Sequence, residues 1–366
     1  MSIDDTSNNN KSKAEINKDY YEKHKPEISA QRKAKAELIK SLLAKKESQP
    51  IVNNNPSDKN PSSQTTNGSD NNDKIKILDV DPSEYVIALN EKYIERNGEK
   101  KEAERHMKLD RSLAIVGDSG IGKSLFVKSI ASENKIPIVK VQCHDKMTDK
   151  EMFGTTQLKN GESIFVLGFL PTGIELANKS PNKKAIILLD EVNCLDSATQ
   201  KILNESLNFR HGIVVPKLNK QYKLNSDSQI LVIATMNPSH YLGTNEINAE
   251  LKSRFNWRKW DDLTDDQTHK LLKVYKLESD LIEKLIHFKN QVKSAHQSQT
   301  LDHPIDTREI VKFCVFYSDM VKDMSHDEAL KEALTLCLAG KYLASANEDH
   351  VRLIREMIES SFAVKI

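Results

Sequence analysis

Residues 113–124 read LAIVGDSGIGKS, and this stretch limits the chain to few architectures. Its first residues are an apolar run of the kind that forms a strand buried on both faces. GxxxxGKS follows directly, with Gly117, Gly122, Lys123 and Ser124 at the fixed places, and 124–132 (SLFVKSIAS) has a helical pattern. The glycines let such a loop curl so that successive backbone N–H groups point inward at an anion. The following helix turns its positive N-terminal end to the same anion. In a loop of this kind Lys123 reaches the β- and γ-phosphates of a nucleotide, and the Ser124 hydroxyl ligates Mg²⁺. A chance glycine-rich turn has no reason to carry both the strand and the helix.

Around the loop, short apolar runs alternate with helical patterns. The runs are 113–116, 138–141, 186–189 and 230–234, all rich in aliphatic residues. Strand-then-helix alternation predicts βαβ units and a parallel sheet. Helical spacing is also expected over 82–96, with Asp81 as cap and Pro82 in the first turn. After residue 264 no strand pattern recurs, and 264–275, 279–297, 307–322, 327–346 and 349–362 read as helices. Twelve glycines in 366 residues is under half of the usual ~7%, which argues against a turn-rich all-β fold.

The N-terminal part differs. Residues 1–12 are polar and Asn-rich, and 13–47 are dense in Lys, Glu and Ala with Pro26 interrupting. This reads as a solvated, partly helical arm, or as a docking helix for a partner. Residues 48–74 (SQPIVNNNPSDKNPSSQTTNGSDNNDK) have too little apolar content to pack and read as a disordered linker. That accounts for an apolar fraction of 38%, below the usual ~45–50%. The expected domains are therefore 1–74 (arm and linker), 75–263 (α/β) and 264–366 (helical lid). The start lacks the apolar core of an export signal, and no run approaches the ~20 residues of a membrane span. A soluble, cytoplasmic protein is expected. Cys143, Cys194, Cys314 and Cys337 form no paired motif and read as reduced thiols. The eleven histidines show no ligand spacing, so no structural metal is expected. A net charge of +1 gives no global attraction to nucleic acid or a membrane.

Two more strand ends carry chemistry. Residues 185–193 (AIILLDEVN) end in Asp190 and Glu191. In an open α/β sheet the C-terminal end of a neighbouring strand lies beside the ligand. Asp190 is there to hold Mg²⁺, and Glu191 to polarise a water for attack on the γ-phosphate. Residues 230–238 (ILVIATMNP) end in Asn237, whose amide can orient that water; the alternative is a turn-forming Asn before Pro238.

Strand–GxxxxGKS, LLDE, ATMNP and then LKSRF (251–255) in this order resemble an AAA+ ATPase, most closely the MoxR-like, dynein-related branch that includes CbbQ, NirQ and GvpN. The resemblance covers about 78–362. It implies a P-loop α/β sheet flanked by helices and a small all-helical lid, and ATP with Mg²⁺ as ligands. It implies that Gly117, Asp118, Ser119, Gly120, Ile121, Gly122, Lys123, Ser124 and Leu125 bind nucleotide, with Asp190 beside Ser124 at the metal. By it, Asn237 is sensor 1, Arg254 the finger that completes a neighbouring subunit's site, and Arg308 in DTREI sensor 2. Both arginines would neutralise charge on the γ-phosphate. It also implies a homo-hexameric ring and a client protein, which in the family often carries a von Willebrand A domain.

Residues 152–175 resemble an insert that interrupts the second helix of this branch, with Gly168-Phe169-Leu170-Pro171 where relatives have Gly-Pro-Leu. Residues 212–224 resemble its hairpin before sensor 1. Both inserts reach the pore or client in such rings; a plain surface hairpin is the alternative. The only NKxD-like stretch, Asn178-Lys179-Ser180-Pro181, lacks the Asp that selects guanine, which favours ATP. The competing functions are a McrB-type nucleic-acid motor using GTP, and a slow nucleotide-gated assembly factor. Trp257 and Trp260, flanking Arg258 and Lys259, suit a domain junction better than base stacking.

Overall fold

Residue parity sorts the strands between two cores. In Lys184–Asp190, Ala185, Ile187 and Leu189 face one core, and Ile186 and Leu188 the other. In Gln229–Met236, Ile230, Val232 and Ala234 face the first, and Leu231 and Ile233 the second. Side chains alternate along a strand, so near-continuous Ile, Leu and Val supply both faces at once. The computed structural model describes residues 75–159, 161–238 and 245–366. The arm and linker expected over 1–74 lie outside the described residues.

In chain order the elements are β1 (Lys76–Ile77), a 3₁₀ turn (Pro82–Tyr85), α1 (Glu99–Lys108), β2 (Ser112–Val116), α2 (Lys123–Glu133), β3 (Ile138–Gln142), α3 (Asp149–Phe153), β4 (Gly154–Lys159), β5 (Glu162–Leu167), α4 (Phe169–Lys179), β6 (Lys184–Asp190), α5 (Ser197–Ser206), β7 (Ile213–Val215), β8 (Lys220–Tyr222), β9 (Gln229–Met236), α6 (Ala249–Lys252) and β10 (Phe255–Lys259). The helices α7 (Asp265–Lys273), α8 (Ser279–Gln297), α9 (Thr307–Met320), α10 (His326–Ala333), α11 (Gly340–Leu343) and α12 (Glu348–Phe362) follow. The main sheet has the order β10-β2-β9-β6-β3, with every pairing parallel. Consecutive strands β2 and β3 are separated by two others, so the ends of β2, β6 and β9 meet at the reversal of strand order. This is the α/β sheet with a helical C-terminal part that the sequence predicts.

Both inserts form hairpins, β4–β5 and β7–β8. The β4–β5 hairpin carries β1 on its other edge, parallel to β5. The departure at Gly168 is absorbed locally. Gly168 precedes α4 in extended backbone, and a Cβ there would lie 2.4 Å from the Met152 carbonyl carbon, so the close approach needs glycine.

Three expectations need correction. Residues 82–96 are not one helix: after Pro82–Tyr85 the chain runs irregularly to Gly98. Side chains take its backbone donors instead, Ser132 Oγ from Leu89 at 3.2 Å, and the Glu99 carboxylate from Arg96 and Asn97 at 2.6 Å. The helix in this region is α1, whose sequence EKKEAERHMK offers only Ala103 and Met107 as buried apolar residues. The strand β10 had no signal, because as an edge strand it buries Phe255 and exposes the next four residues. Within the expected 327–346 helix, Leu334–Ala339 is a π-helical segment between α10 and α11. There the Thr335 hydroxyl donates to the Lys331 carbonyl at 2.7 Å, competing with the regular ladder.

Phe126 on α2 is fully buried, edge-on to Trp260 with ring centroids 5.1 Å apart and 5.6 Å from Tyr93. Phe126→Ala is expected to destabilise the chain by ~3–5 kcal/mol, read from urea unfolding, while Phe126→Leu should lose clearly less.

Candidate functional site

The sheet's reversal point gathers the loop after β2, the end of β6 and the end of β9 into a cleft of about 770 Å³. Residues 90–96, α7 and the first turns of α9 close its other side. Gly120 and Gly122 take φ of +76° and +91°, which places them in the left-handed region that a glycine occupies cheaply. Gly120 is doubly constrained, since a Cβ there would lie 2.0 Å from the Asp306 carboxylate before α9.

Lys123 is buried, and its ammonium donates to the carbonyls of Gly117 at 2.7 Å and Asp118 at 2.8 Å and to Asn237 Oδ1 at 3.0 Å. Burial pulls its pKa down to about 8; the carboxylates of Asp190, Asp118 and Glu191 oppose this, and Arg308 adds to it. Lys123 and Arg308 line the same cleft.

Ser124 Oγ donates to both Asp190 oxygens, at 2.8 and 2.9 Å. A hydroxyl and a carboxylate converging at a helix N-terminus form a hard oxygen donor set, which fits Mg²⁺. Lys140 Nζ lies 3.6 Å from Asp190 Oδ2. Glu191 sits in left-handed backbone at φ 59°, ψ 48°. Its carboxylate accepts from Gln142 Nε2 at 2.8 Å.

The cleft thus brings together Ser119, Gly120, Ile121, Gly122, Lys123, Ser124, Leu125, Asp190, Glu191, Asn237 and Arg308, with Gly117 and Asp118 supplying carbonyls to Lys123. Arg254 is not among its lining residues. It is exposed, and its Nε donates to Asn204 Oδ1 on α5 at 2.7 Å. Trp260 is buried beneath the Arg96 guanidinium, 4.6 Å from the ring centroid, and Trp257 donates its N–H to the Lys252 carbonyl. Both tryptophans thus have structural partners.

Sequence reasoning missed four residues here: Thr235, Gln142, Lys140 and Arg96. Thr235 is fully buried; its hydroxyl donates to Asp190 Oδ1 and accepts from the Glu191 N–H at 3.2 Å. One hydroxyl therefore orients both acids. The signal was present as a single polar residue inside the apolar run ILVIATM. Arg96 bonds the Ile121 carbonyl of the phosphate loop, and its own carbonyl accepts from Gln267 on α7 at 3.1 Å. Thr235→Val, nearly isosteric, is expected to lower turnover about tenfold, the scale of losing ~1.4 kcal/mol of hydrogen bonding to charged groups. Nucleotide affinity without metal should change little, and the metal concentration for half-maximal rate should rise.

Comparison with known proteins agrees with this geometry. Residues 112–255 match the AAA domain of the dynein-related subfamily. Over 163 residues the chain is 26% identical to midasin of Giardia intestinalis, covering 44% of this chain and 3% of that one. It is 23% identical to protein NorQ of Paracoccus denitrificans, covering 40% of this chain and 51% of NorQ. With protein CbbQ of Hydrogenophilus thermoluteolus the identity is 24%, covering 39% and 50%. The chain thus spans about half the length of NorQ and CbbQ. Over 112–255, the stretch that matches the AAA domain of the dynein-related subfamily, a phosphate loop, paired acids and a polar strand end meet at the reversal point of a parallel sheet, and this part of the chain is similar to an AAA domain and to NorQ and CbbQ.

Proposed function

We propose that this chain is a subunit of a ring, most simply a hexamer, that hydrolyses ATP with Mg²⁺ to remodel or activate a partner protein in the cytoplasm. The observation that carries the reading is the placement of the two arginines. Arg308 lines the cleft of its own chain, whereas Arg254 lies outside it, exposed and held by Asn204. A cation held at the surface, outside the cleft of its own chain, suits a site on a neighbouring copy. Among the described residues no helix is long and apolar enough to cross a membrane.

In this reading the loop amides and Lys123 hold the β- and γ-phosphates. Ser124 and Asp190 would hold the metal, whose chemistry is to neutralise charge between the phosphate oxygens. Glu191 takes the proton of the attacking water, and Asn237 orients that water. Oxygen bonds to the γ-phosphorus as its bond to the ADP oxygen breaks, giving ADP and phosphate. Arg308 and the neighbour's Arg254 stabilise the charge spreading over the γ-phosphoryl oxygens. Glu191 must first exchange its bond from Gln142 for one to water. The hairpins β4–β5 and β7–β8 are the client-facing elements; a client with a von Willebrand A domain fits the resemblance.

Glu191→Gln is expected to retain Mg-ATP binding by calorimetry while losing at least ~100-fold in turnover, the lower range for a general base; loss of binding as well would make Glu191 a structural residue.

Mixing tests the ring. Arg254→Ala and Lys123→Ala should each be inactive alone. Mixed rings, checked by light scattering, should regain measurable turnover, because fingers of this type contribute ~10³–10⁵ in GTPases. Near-normal turnover of Arg254→Ala alone would remove the finger assignment.

A further inference from the structure

Arg308 follows the first residue of α9. Among the described residues no carboxylate forms an ion pair with it. The root of its side chain is set by the backbone of α9's first turn, and that turn is held from both sides. Asp306 caps it, accepting from Glu309 N at 2.9 Å, and packs on Gly120 of the phosphate loop.

On the other side Thr307, 7% exposed, donates its hydroxyl to Asp262 Oδ1 at 3.0 Å and accepts from Lys289 Nζ at 3.2 Å. Lys289, 4% exposed in the middle of α8, lies 2.6 Å from Asp262 Oδ2. Asp262 belongs to the connection between β10 and α7, and its Oδ1 also accepts from the Leu263 N–H at 2.8 Å. Burial would raise the Asp262 carboxyl, but the Lys289 ammonium and these hydrogen bonds prevail and hold it below its ordinary value. Asp262 is thus favoured as the carboxylate where it lies.

Burying an ion pair is a poor way to gain stability, because desolvation cancels most of the attraction. It is an effective way to fix geometry, since each group has one low-energy arrangement. Three elements distant in sequence converge on the hydroxyl next to Arg308: the connection after β10, α8, and α9 itself.

We propose that Asp262, Lys289 and Thr307 are positioning residues that set Arg308 over the γ-phosphate site, so that their role in turnover passes through that arginine. The proposal rests on the reading of Arg308 as the cation that meets the γ-phosphate. None of the three needs to touch nucleotide for this. A displacement of about 1 Å at a catalytic group can cost ~10²-fold in rate.

The test uses the full chain, steady-state ATP hydrolysis and calorimetric Mg-ATP binding. Thr307→Val keeps size and the Asp306 cap but removes the bridging hydroxyl. It should lower kcat about 10- to 100-fold, leave the dissociation constant within about twofold and leave the melting temperature close to that of the parent. Thr307→Ser should restore turnover. In an Arg308→Ala background, Thr307→Val should cost nothing further, because the arginine it positions is gone. Asp262→Asn, which keeps an acceptor for Thr307 but removes the charge, should repeat both results. A further loss in the Arg308→Ala background, or unchanged kcat in Thr307→Val and Asp262→Asn while Arg308→Ala loses activity, overturns the proposal. Normal turnover of Arg308→Ala itself overturns the reading of Arg308, and the proposal with it.

Discussion

One buried ammonium ties the site to the sheet. Lys123 bonds the Gly117 and Asp118 carbonyls of its own loop and the Asn237 side chain at the end of β9. Without an anion, a buried lysine needs such acceptors, because an unpaired charge in this setting costs several kcal/mol. The three oxygens therefore do two jobs. They keep the loop open in the shape a polyphosphate needs, and they lock the register between the loop and a strand 114 residues away.

The acids are organised by a different device. Asp190 receives hydrogen bonds from Ser124 and Thr235, and Thr235 also accepts from the Glu191 backbone. Two carboxylates on adjacent residues are thereby separated in role. Asp190 is turned toward the helix N-terminus, and Glu191, in left-handed backbone, is turned toward β3 and Gln142. Adjacent residues in regular extended backbone would point to opposite faces of the sheet; the left-handed residue lets both stay at its edge.

The placement of this candidate site was legible in the sequence where it sits on repeated local pattern. GxxxxGKS, LLDE and ATMNP each couple a buried strand to a polar end, and the strand period places that end. What escaped was of two kinds. The first was structure made by side chains over long separations, such as residues 86–98, where Glu99 and Ser132 replace a helical ladder. The second was polar residues whose importance lies in a partner, such as Thr235 with Asp190 or Arg96 with Ile121. Local periodicity carries no information about a partner 45 residues away. The edge strand β10 failed for a related reason: it is held by backbone pairing to β2 across five residues and buries only Phe255.

That edge strand then has a part its pattern did not announce. Arg254 stands at one end of β10, and three residues beyond its other end Asp262 enters the buried triad with Lys289 and Thr307. Between them Trp260 takes the Val116 carbonyl and packs beside Gly117 of the phosphate loop. β10 is held to β2 by a parallel ladder over five residues, and slipping it would break that ladder and turn Phe255 out of the core. An exposed cation outside the cleft is thus joined, by a short paired strand, to the turn that carries the cation inside it. The connection is continuous packing and hydrogen bonding rather than proximity alone. It runs through residues, FNWRKWDD, whose local sequence carries no strand pattern.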